Sequence, residues 1–376
     1  MVITEAAKMN ICLIANPGSA HTRRWVEYFI KIGHQVHLIG EQKSSNYLPD
    51  GCNYHELSSA SKLGKYRYLW WGKEVKRIIK KIQPNILHSL GAVNYGWLGY
   101  LSGFHPHIIT AMGSDINLLN KKPIEFRYIT KIALRNANYV LCVSNQLAQK
   151  VKQYSISKDK IEVIYLGINI DIFHPTENKA NIRKALGLPS FPTVLSVRAI
   201  DYIYNPLDIA RSIPKIMNQI PQVSFIIFSY NQNITLMREF MELVTSYSCQ
   251  QAVVIVPEIS DDKTIAQYYQ ACDIGISIPS SDGTPISVLE CMACETPLVV
   301  SDIPTIHDWV ENEINGLIVP IGDIKGIADA IIRLLKNETL RTNMGKLARN
   351  IIVDRADYHS CMKRSEQIYI NLTKQR

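Results

Sequence analysis

One stretch of the sequence decides the fold class: Ile274-Gly-Ile-Ser-Ile278-Pro-Ser-Ser-Asp282-Gly-Thr284-Pro-Ile-Ser-Val-Leu-Glu290-Cys-Met-Ala-Cys294. It begins with a short apolar run typical of a buried strand, and a loop rich in Pro, Ser and Gly follows. Thr284 is a good N-cap residue and proline is favoured in a first helical turn, so a helix is predicted to begin here. A strand followed at once by a helix is typical of βαβ units and parallel sheets.

The same alternation of strand and helix patterns extends in both directions from this stretch. It forms two series of strand-like runs, separated by a segment near residues 167–190 that contains several Pro, Asn and Gly residues. Two series predict an α/β protein of two doubly wound, Rossmann-like parallel-sheet domains that face a central cleft. The predicted strands are Asn10–Ala15, Gln35–Gly40, Ile86–Ser89, Ile108–Ala111, Tyr139–Ser144, Ile161–Tyr165, Thr193–Val197, Ser224–Ser229, Ala252–Val256, Ile274–Ile278, Pro297–Ser301 and Gly316–Val319.

The domain boundaries follow from the position of the separating segment. We predict an N-terminal domain over residues 1–170 and a C-terminal domain over residues 171–355. A C-terminal helix within residues 356–376 is predicted to pack back on the N-terminal domain. In open parallel sheets, ligands bind beyond the carboxyl ends of the strands. Functional residues are therefore expected directly after the strands.

The composition excludes several other classes of protein. Of the 376 residues, 47% are apolar and 20% are charged, which excludes disordered, collagen-like and coiled-coil chains. The longest apolar candidate for a membrane span, Gly91–Phe104, is interrupted by Asn, Gly and Ser and is shorter than the roughly 18 residues required. Residues 1–10 contain Glu5 and Lys8 and do not resemble a signal peptide. We therefore expect a cytoplasmic protein.

The eight cysteines are scattered along the chain, and most stand in apolar runs. This usage is typical of reduced, buried thiols rather than of a disulfide framework. Cys291 and Cys294 have the spacing of metal and redox motifs, but they form a single pair inside an apolar helical stretch. No metal site is predicted.

The basic residues are concentrated in the first half of the chain. Residues 1–170 contain 22 Lys and Arg against 10 Asp and Glu, although the whole chain carries only +8. Such a charge attracts phosphates, nucleic acid or an anionic membrane surface, and nucleic acid is the weakest of these because no nucleic-acid-binding signature is present. The segment Lys65–Gln83 places basic residues beside Trp70 and Trp71 at helical spacing. It suits either a membrane surface or a solvated helix with one tryptophan in the core.

The stretch Ile278–Cys294 contains groups that could bind a ligand. The amides at the predicted helix start favour an anion, because they lack helical partners and carry partial positive charge. Glu290 stands among apolar residues, so its carboxylate needs donors such as hydroxyl groups. Without further information, Asp282 could equally be a loop residue and Glu290 a partly exposed helix carboxylate.

Five motifs in the same order resemble those of the GT-B-fold retaining glycosyltransferases of family 4, over residues 9 to about 355. The spacing of Asp282 and Glu290 is similar to the E-x7-E motif of that family. The other four motifs are Ile30-Lys-Ile-Gly-His-Gln-Val36, Tyr165-Leu-Gly-Ile-Asn-Ile-Asp-Ile-Phe-His-Pro175, Cys294-Glu-Thr-Pro-Leu-Val-Val-Ser-Asp302, and Glu311 with Asn315-Gly-Leu-Ile-Val-Pro320.

The resemblance implies donor-binding roles in the second domain. Glu290 would bind the ribose hydroxyls of the donor, and Asp282 would contact the hydroxyls of its sugar. Arg198 matches the family arginine that stabilises the departing phosphate, but the family lysine that follows has no counterpart in Ala199–Pro206. The backbone of Gly283, Thr284, Pro285 and Ile286 would contact the sugar or diphosphate.

The resemblance also implies roles in the first domain. The loop that contains Gly18 matches the family loop whose backbone faces the diphosphate, and His21 and Arg23 would face the acceptor. A capping and packing role for this segment is an equal alternative. Met112 stands where relatives carry an acceptor-site histidine, so Asp115 is the remaining polar candidate, as a catalytic and acceptor-binding residue. Its alternative role is to cap the next helix.

The sequence therefore predicts a retaining glycosyltransferase that uses a nucleotide-diphosphate sugar of the UDP or GDP type. The acceptor would be a glycan, a lipid-linked molecule or a small molecule, in the synthesis of cell-surface polysaccharide or glycolipid. The resemblance implies no metal ion and no cofactor, and the basic first half predicts a peripheral contact with the inner face of an anionic membrane. A nucleotide-sugar 2-epimerase and a catalytically silent nucleotide-sugar-binding protein are the alternatives.

Overall fold

The computed structural model describes residues 8–41, 48–59, 64, 66–229, 233–259 and 261–374. The chain forms two compact units. Unit 1 contains the residues up to Leu166 together with those from His359 onward, and unit 2 contains Gly167–Tyr358. Lys65, the first residue of the predicted basic segment, lies outside the described residues.

Unit 1 contains one sheet of seven parallel strands, connected by helices. The strands are β1 (Asn10–Ile14), β2 (Gln35–Gly40), β3 (Cys52–Glu56), β4 (Ile86–Leu90), β5 (His107–Ala111), β6 (Tyr139–Cys142) and β7 (Ile161–Val163). They lie in the order β3-β2-β1-β4-β5-β6-β7. The helices are α1 (Ala20–Lys31), α2 (Arg67–Ile82), α3 (Tyr95–Ser102), α4 (Ser114–Asn117), α5 (Ile124–Asn136) and α6 (Asn145–Lys152).

Unit 2 repeats this architecture with six parallel strands. The strands are β8 (Thr193–Ser196), β9 (Ser224–Phe228), β10 (Val253–Val256), β11 (Ile274–Ser277), β12 (Leu298–Ser301) and β13 (Leu317–Val319). They lie in the order β10-β9-β8-β11-β12-β13. The helices are α7 (Lys179–Ala185), α8 (Pro206–Gln219), α9 (Ile234–Ser246), α10 (Asp262–Ala271), α11 (Ile286–Ala293), α12 (Ile324–Lys336) and α13 (Glu338–Arg355).

The central strands of both sheets are fully buried, which explains why they read as continuous apolar runs in the sequence. Every residue of β8, β9 and β11 is buried. Each buried Val, Leu or Ile side chain contributes roughly 1.5–3 kcal/mol relative to an exposed one. The predicted α/β fold with two Rossmann-like parallel-sheet domains is confirmed, and each of the twelve predicted strands is present within two residues at either end.

The sequence patterns missed one strand, β3. Its sequence, Cys-Asn-Tyr-His-Glu, has no apolar run, because β3 lies at the edge of its sheet and its residues are exposed or half-buried. It is held by parallel pairing with β2, in which Val36 lies opposite Cys52 and Gly40 lies opposite Glu56.

The last helix, α14 (Tyr358–Lys374), packs within unit 1. Tyr369 is fully buried, its ring stacks on Phe29 at 5.0 Å, and its hydroxyl group is hydrogen-bonded to Nδ1 of His88. Glu366 accepts from Nε2 of His34 at 3.2 Å. These contacts lie within about one turn of the helix, at Glu366 and Tyr369.

Backbone pairing sets the limits of unit 2 a few residues outside the predicted range of 171–355. The N–H of Ile168 donates to the carbonyl of Ala356 at 2.7 Å, and the N–H of Tyr358 donates to the carbonyl of Ile168 at 2.9 Å. These long-range bonds bring both ends of the segment into the same unit, a pairing that no local sequence pattern indicates.

Candidate active site

A buried polar cluster of unit 2 forms around Arg198, which follows β8. Its guanidinium is buried, with Nε donating to Oγ of Ser277 at 2.8 Å and Nη2 donating to Oδ2 of Asp282. Ser277 ends β11 and Asp282 follows it, and β8 and β11 are neighbours in the sheet. The strand order therefore brings together Arg198 and Asp282, two residues that the sequence predicted separately.

Asp282 is oriented by two contacts. Its Oδ1 atom accepts a hydrogen bond from the N–H of Gly283 at 2.7 Å, while Oδ2 pairs with Arg198. About one tenth of each side chain of this ion pair is exposed. A carboxylate oxygen has two lone pairs, so Asp282 retains acceptor capacity for a further hydroxyl donor. The pair presents a fixed positive charge next to a fixed acceptor.

The segment in which the family lysine would stand carries an aromatic ring instead. The guanidinium of Arg198 lies 5.2 Å from the ring centre of Tyr204. Asn205, in the left-handed region at φ 49°, donates from Nδ2 to the carbonyl of Ile278 at 2.8 Å. The N–H of Ser280 donates to the carbonyl of Ile203 at 2.7 Å. This loop is thereby tied to the loop that leads to Asp282.

The helix predicted to have Thr284 as its N-cap is shifted by one residue, and its first residue is Ile286. Pro285 occupies the cap position, and its carbonyl accepts from the N–H groups of Val288 and Leu289 at 2.9 and 3.1 Å. Thr284 therefore does not cap the helix. Its hydroxyl group and that of Ser287 are buried and have no hydrogen-bond partner among the described residues. Buried hydroxyls are costly when unpaired, so a bound ligand would stabilise both of them.

Glu290 lies in α11 with 8% of its surface exposed. The sequence led us to expect hydroxyl donors for its carboxylate, and the hydroxyl group of Tyr269 donates to Oε2 at 3.4 Å. Tyr269 comes from α10, and no local pattern links it to Glu290. The close approach of α11 to the sheet requires Gly275, because a Cβ atom at this position would lie 2.6 Å from Sγ of Cys291.

The candidate residues of unit 1 are held by local contacts. The N–H of Gly18 donates to Oδ1 of Asn16 at 2.9 Å, and Nε of Arg23 lies 3.3 Å from Oε1 of Glu27, an exposed pair. His21 lies in the first turn of α1, and burial together with Arg24 lowers its pKa to about 4. Its ring is therefore neutral at pH 7. The buried Nδ1 atom of His21 has no partner among the described residues.

Asp115 organises two loops of unit 1. Its carboxylate accepts hydrogen bonds from the backbone N–H groups of Ala92, Met112, Gly113 and Ile116 at 2.7 to 3.1 Å. The contact with Ala92 joins the loop after β4 to the loop after β5. Asp115 is not the N-cap residue of α4, because Gly113 occupies that position and Asp115 lies in the first turn. The catalytic and acceptor-binding roles of Asp115 remain predictions.

The cysteine pair of α11 consists of two buried free thiols, and burial raises the pKa of both Cys291 and Cys294. Across the described ranges, no group of three or more His, Cys, Asp or Glu side chains is arranged to hold a metal ion. None of the described helices is both long and apolar enough to span a membrane.

Two protein-family models match the chain, one for each unit. The model described as "Glycosyl transferase 4-like" matches residues 10–144, and that described as "Glycosyl transferases group 1" matches residues 178–351. Together these matches span most of both sheets.

Individual proteins agree with the family models. N-acetyl-alpha-D-glucosaminyl L-malate synthase of Bacillus anthracis is 20% identical over 91% of this chain and 90% of its own length. UDP-Gal:alpha-D-GlcNAc-diphosphoundecaprenol alpha-1,3-galactosyltransferase of Escherichia coli is 23% identical over 79% and 78% of the two chains. The crystal structure of Anabaena HepE in complex with UDP superposes with a TM-score of 0.81 at 15% identity, over 97% of this chain and all of that one. This chain is a glycosyltransferase and belongs to the GT-B-fold glycosyltransferases of family 4.

Proposed function

We propose that the protein transfers a sugar, with retention of anomeric configuration, from a UDP- or GDP-linked donor to a glycan, lipid-linked or small-molecule acceptor. One observation carries the proposal. A buried arginine–aspartate pair follows two neighbouring strands of unit 2. Two buried hydroxyl groups, which have no hydrogen-bond partner in the described part of the chain, belong to the loop and helix that come next. Such a cluster suits a donor that carries both phosphates and hydroxyl groups.

The charges of this cluster suit the chemistry of sugar transfer. As the bond between sugar and phosphate breaks, negative charge grows on the leaving diphosphate, and a positive group already in place stabilises it without reorganisation. Arg198 would supply this charge, held by Ser277 and Asp282. Glu290 would accept hydrogen bonds from the ribose hydroxyls, in competition with the weak bond from Tyr269. Thr284 and Ser287 would donate to phosphate or sugar oxygens.

We further propose that no metal ion takes part, since Arg198 can supply the positive charge that a metal ion would otherwise provide. Transfer measured with the purified protein should be unchanged by EDTA. A loss of activity that a divalent cation restores would contradict this part of the proposal.

The acceptor is proposed to be lipid-linked and to be met at the cytoplasmic face of the membrane, in the synthesis of polysaccharide or glycolipid. The name of the Escherichia coli relative specifies an acceptor linked to diphosphoundecaprenol. Supporting features of this chain are the basic first half and the exposed Lys and Arg residues of α2. Each basic residue near an anionic surface contributes about 1 kcal/mol, so several would hold the protein there reversibly.

The membrane contact is tested by co-sedimentation with anionic vesicles. Binding should fall as salt rises, and it should weaken when five exposed basic residues of α2 become Gln. The residues are Lys73, Lys76, Arg77, Lys80 and Lys81. Failure of the unchanged protein to bind at low salt would favour a soluble acceptor.

The activity is tested by thermal-shift screening of nucleotide sugars, since ligand binding to the folded state raises its stability. The selected donor is then incubated with candidate lipid-linked acceptors, and the anomeric configuration of the product is read by NMR. Transfer with retention is the expected result. Formation of a 2-epimer would instead establish an epimerase, and binding without turnover would establish a silent binding protein.

A further inference from the structure

Unit 1 contains an apolar cavity of about 350 Å³ that includes none of the candidate donor-binding, acceptor-binding or catalytic residues. It lies between the start of α2, helix α3 and helix α5. Its volume is at the lower end of the roughly 300–1,000 Å³ typical of small-molecule sites. The side chains that form its walls are mainly aromatic and aliphatic, among them Tyr66, Leu69, Trp97, Tyr100, Phe126 and Ile129.

The wall of the cavity is rigid because its aromatic rings pack against one another. The ring of Trp97 contacts Tyr68 and Phe126 edge-on, at centroid distances of 5.2 and 4.9 Å. Its indole N–H donates to Oγ1 of Thr130 at 2.8 Å. Because this polar atom is already bonded inside the unit, the ring offers an apolar surface to the cavity. A preformed apolar wall favours a hydrocarbon ligand, which cannot form hydrogen bonds.

The helices that enclose the cavity also carry large apolar side chains on the protein surface. More than half of the surface is exposed in each of five such residues, namely Tyr66, Leu69, Trp70, Ile124 and Tyr128. Trp71 is in the core, so the tandem tryptophans divide between the two environments expected from the sequence. Exposed Trp, Tyr and aliphatic side chains together are typical of the boundary between membrane headgroups and hydrocarbon.

Helices α2 and α5, which border the cavity, carry a positive net charge, and this charge indicates which class of apolar ligand would bind. The two helices together contain nine Lys and Arg and two acidic residues. One of the two acids, Glu74, is bonded to Ser58, and the other, Glu125, borders the cavity. This strong positive excess beside an apolar cavity complements a lipid that combines hydrocarbon chains with a phosphate group.

We propose that this cavity binds one acyl chain of an anionic membrane phospholipid, whose phosphate is held by the basic residues of α2 and α5. The proposal extends the membrane contact from a diffuse attraction of charges to a lipid site that is built into unit 1. Tyr66, Leu69 and Ile129 would contact the chain, while exposed Trp70 and Tyr128 would rest at the level of the headgroups.

The test uses dihexanoyl phosphatidylglycerol below its micelle concentration, so that a bilayer is not required for binding. We expect saturable binding in calorimetry. Glycerophosphoglycerol, which lacks the chains, and dihexanoyl phosphatidylcholine, which lacks the net charge, should each bind at least about tenfold more weakly. Equal binding of either compound would overturn the proposal, as would absence of saturable binding, which would favour an acidic protein partner.

Two substitutions locate the bound chain. Leu69→Gln changes an exposed residue at the mouth of the cavity, and Ile129→Ser changes a half-buried residue of its wall. Both should weaken lipid binding by about tenfold, since each removes apolar contact. Ile234→Gln, at a 72% exposed site of unit 2, is the matched control and should have no effect. Unchanged lipid affinity in both cavity variants would overturn the proposal.

Hydrogen exchange of the β1, β4 and β5 amides, measured in the same variants, verifies that unit 1 is folded. Neither this check nor the lipid titration depends on the proposed catalysis. Because lipid binding is measured without donor or acceptor, a protein that binds the lipid but transfers no sugar would contradict only the proposed activity.

Discussion

The two units use their charged and polar side chains in different ways. In unit 2, Arg198, Asp282 and Ser277 contact one another at the carboxyl ends of two neighbouring strands, β8 and β11. In unit 1, His21 follows β1 and Asp115 follows β5, and β4 lies between these strands. Within the described ranges, Asp115 accepts hydrogen bonds only from backbone N–H groups, and Arg23 pairs within its own helix. The candidate residues of unit 2 are thus brought into contact by adjacent strands, whereas those of unit 1 follow strands that are not neighbours.

The histidines whose pKa is strongly lowered by burial are concentrated in unit 1. Burial lowers the pKa of His88 and His107 to about 3 and that of His21 to about 4, and all three belong to unit 1. His88 is bonded to Tyr369 and Thr110, and His107 is bonded to Ser89. Unit 1 therefore contains neutral imidazoles in its core, and its stability is expected to depend on pH.

The largest expected effect is acid unfolding of unit 1. Below pH 6.5 these three imidazoles bind protons in the unfolded chain but stay neutral in the folded protein. Their contribution to the free energy of unfolding is therefore fully present above pH 6.5 and is lost progressively toward pH 4. Each histidine costs about 1.4 kcal/mol per pH unit in this window. Segment-resolved hydrogen exchange should show unit 1 opening before unit 2.

A substitution separates the histidine effect from general acid sensitivity. His88→Gln should reduce the slope of the free energy of unfolding against pH, obtained from urea denaturation between about pH 6 and 4. The expected reduction corresponds to about one bound proton. An unchanged slope would show that His88 is not neutral in the folded protein. If unit 2 opened first, the proposed contrast between the units would be wrong.

The second effect concerns the charged cluster of unit 2. Arg198→Ala should lower turnover by about 10²–10³, the cost of removing one preorganised group that stabilises developing charge. Donor binding should fall less, because the charge matters most as the phosphate departs. The matched control is Arg211→Ala, which breaks an exposed ion pair with Asp208 in the same unit. Equal losses in kcat and in donor affinity would make Arg198 a binding residue only.

The sequence predicted most of the fold because apolar runs of buried strands are a local signal. β3 was missed since an edge strand needs no such run. The helix start at Thr284 was misplaced because residue preferences do not reveal that Pro285 takes the cap position.

The site was predictable only where a motif places its residues close in sequence. Asp282 and Glu290 share one short stretch, and Arg198 follows a strand in a position that the family resemblance identified. Ser277 could have been suggested as the last residue of its strand. Tyr269 stands on another helix, and only tertiary packing brings its hydroxyl group to Glu290.

The third effect tests this carboxylate. Glu290→Gln should weaken nucleoside-diphosphate binding by about 1–3 kcal/mol, the scale for a hydrogen bond to a charged group. Glu313→Gln, which breaks an exposed pair with Arg333, is the control and should change little. Calorimetry measures both. Identical affinities for the protein and the Glu290 variant would remove this residue from the donor site and weaken the claim that unit 2 concentrates the chemistry.

The smallest effect asks what Tyr204 contributes in the segment that lacks the family lysine. Its ring lies against the guanidinium of Arg198, and a cation–π contact contributes about 0.5–1 kcal/mol at partly exposed sites. Tyr204→Leu should therefore lower kcat about two- to fivefold with little change in donor affinity. Tyr204→Phe keeps the ring and should retain the original rate. Tyr202→Leu, at a 54% exposed site in the same loop, should have no effect. If Phe and Leu at position 204 gave the same loss, the hydroxyl group rather than the ring would matter, and Arg198 would have to be positioned by Ser277 and Asp282 alone.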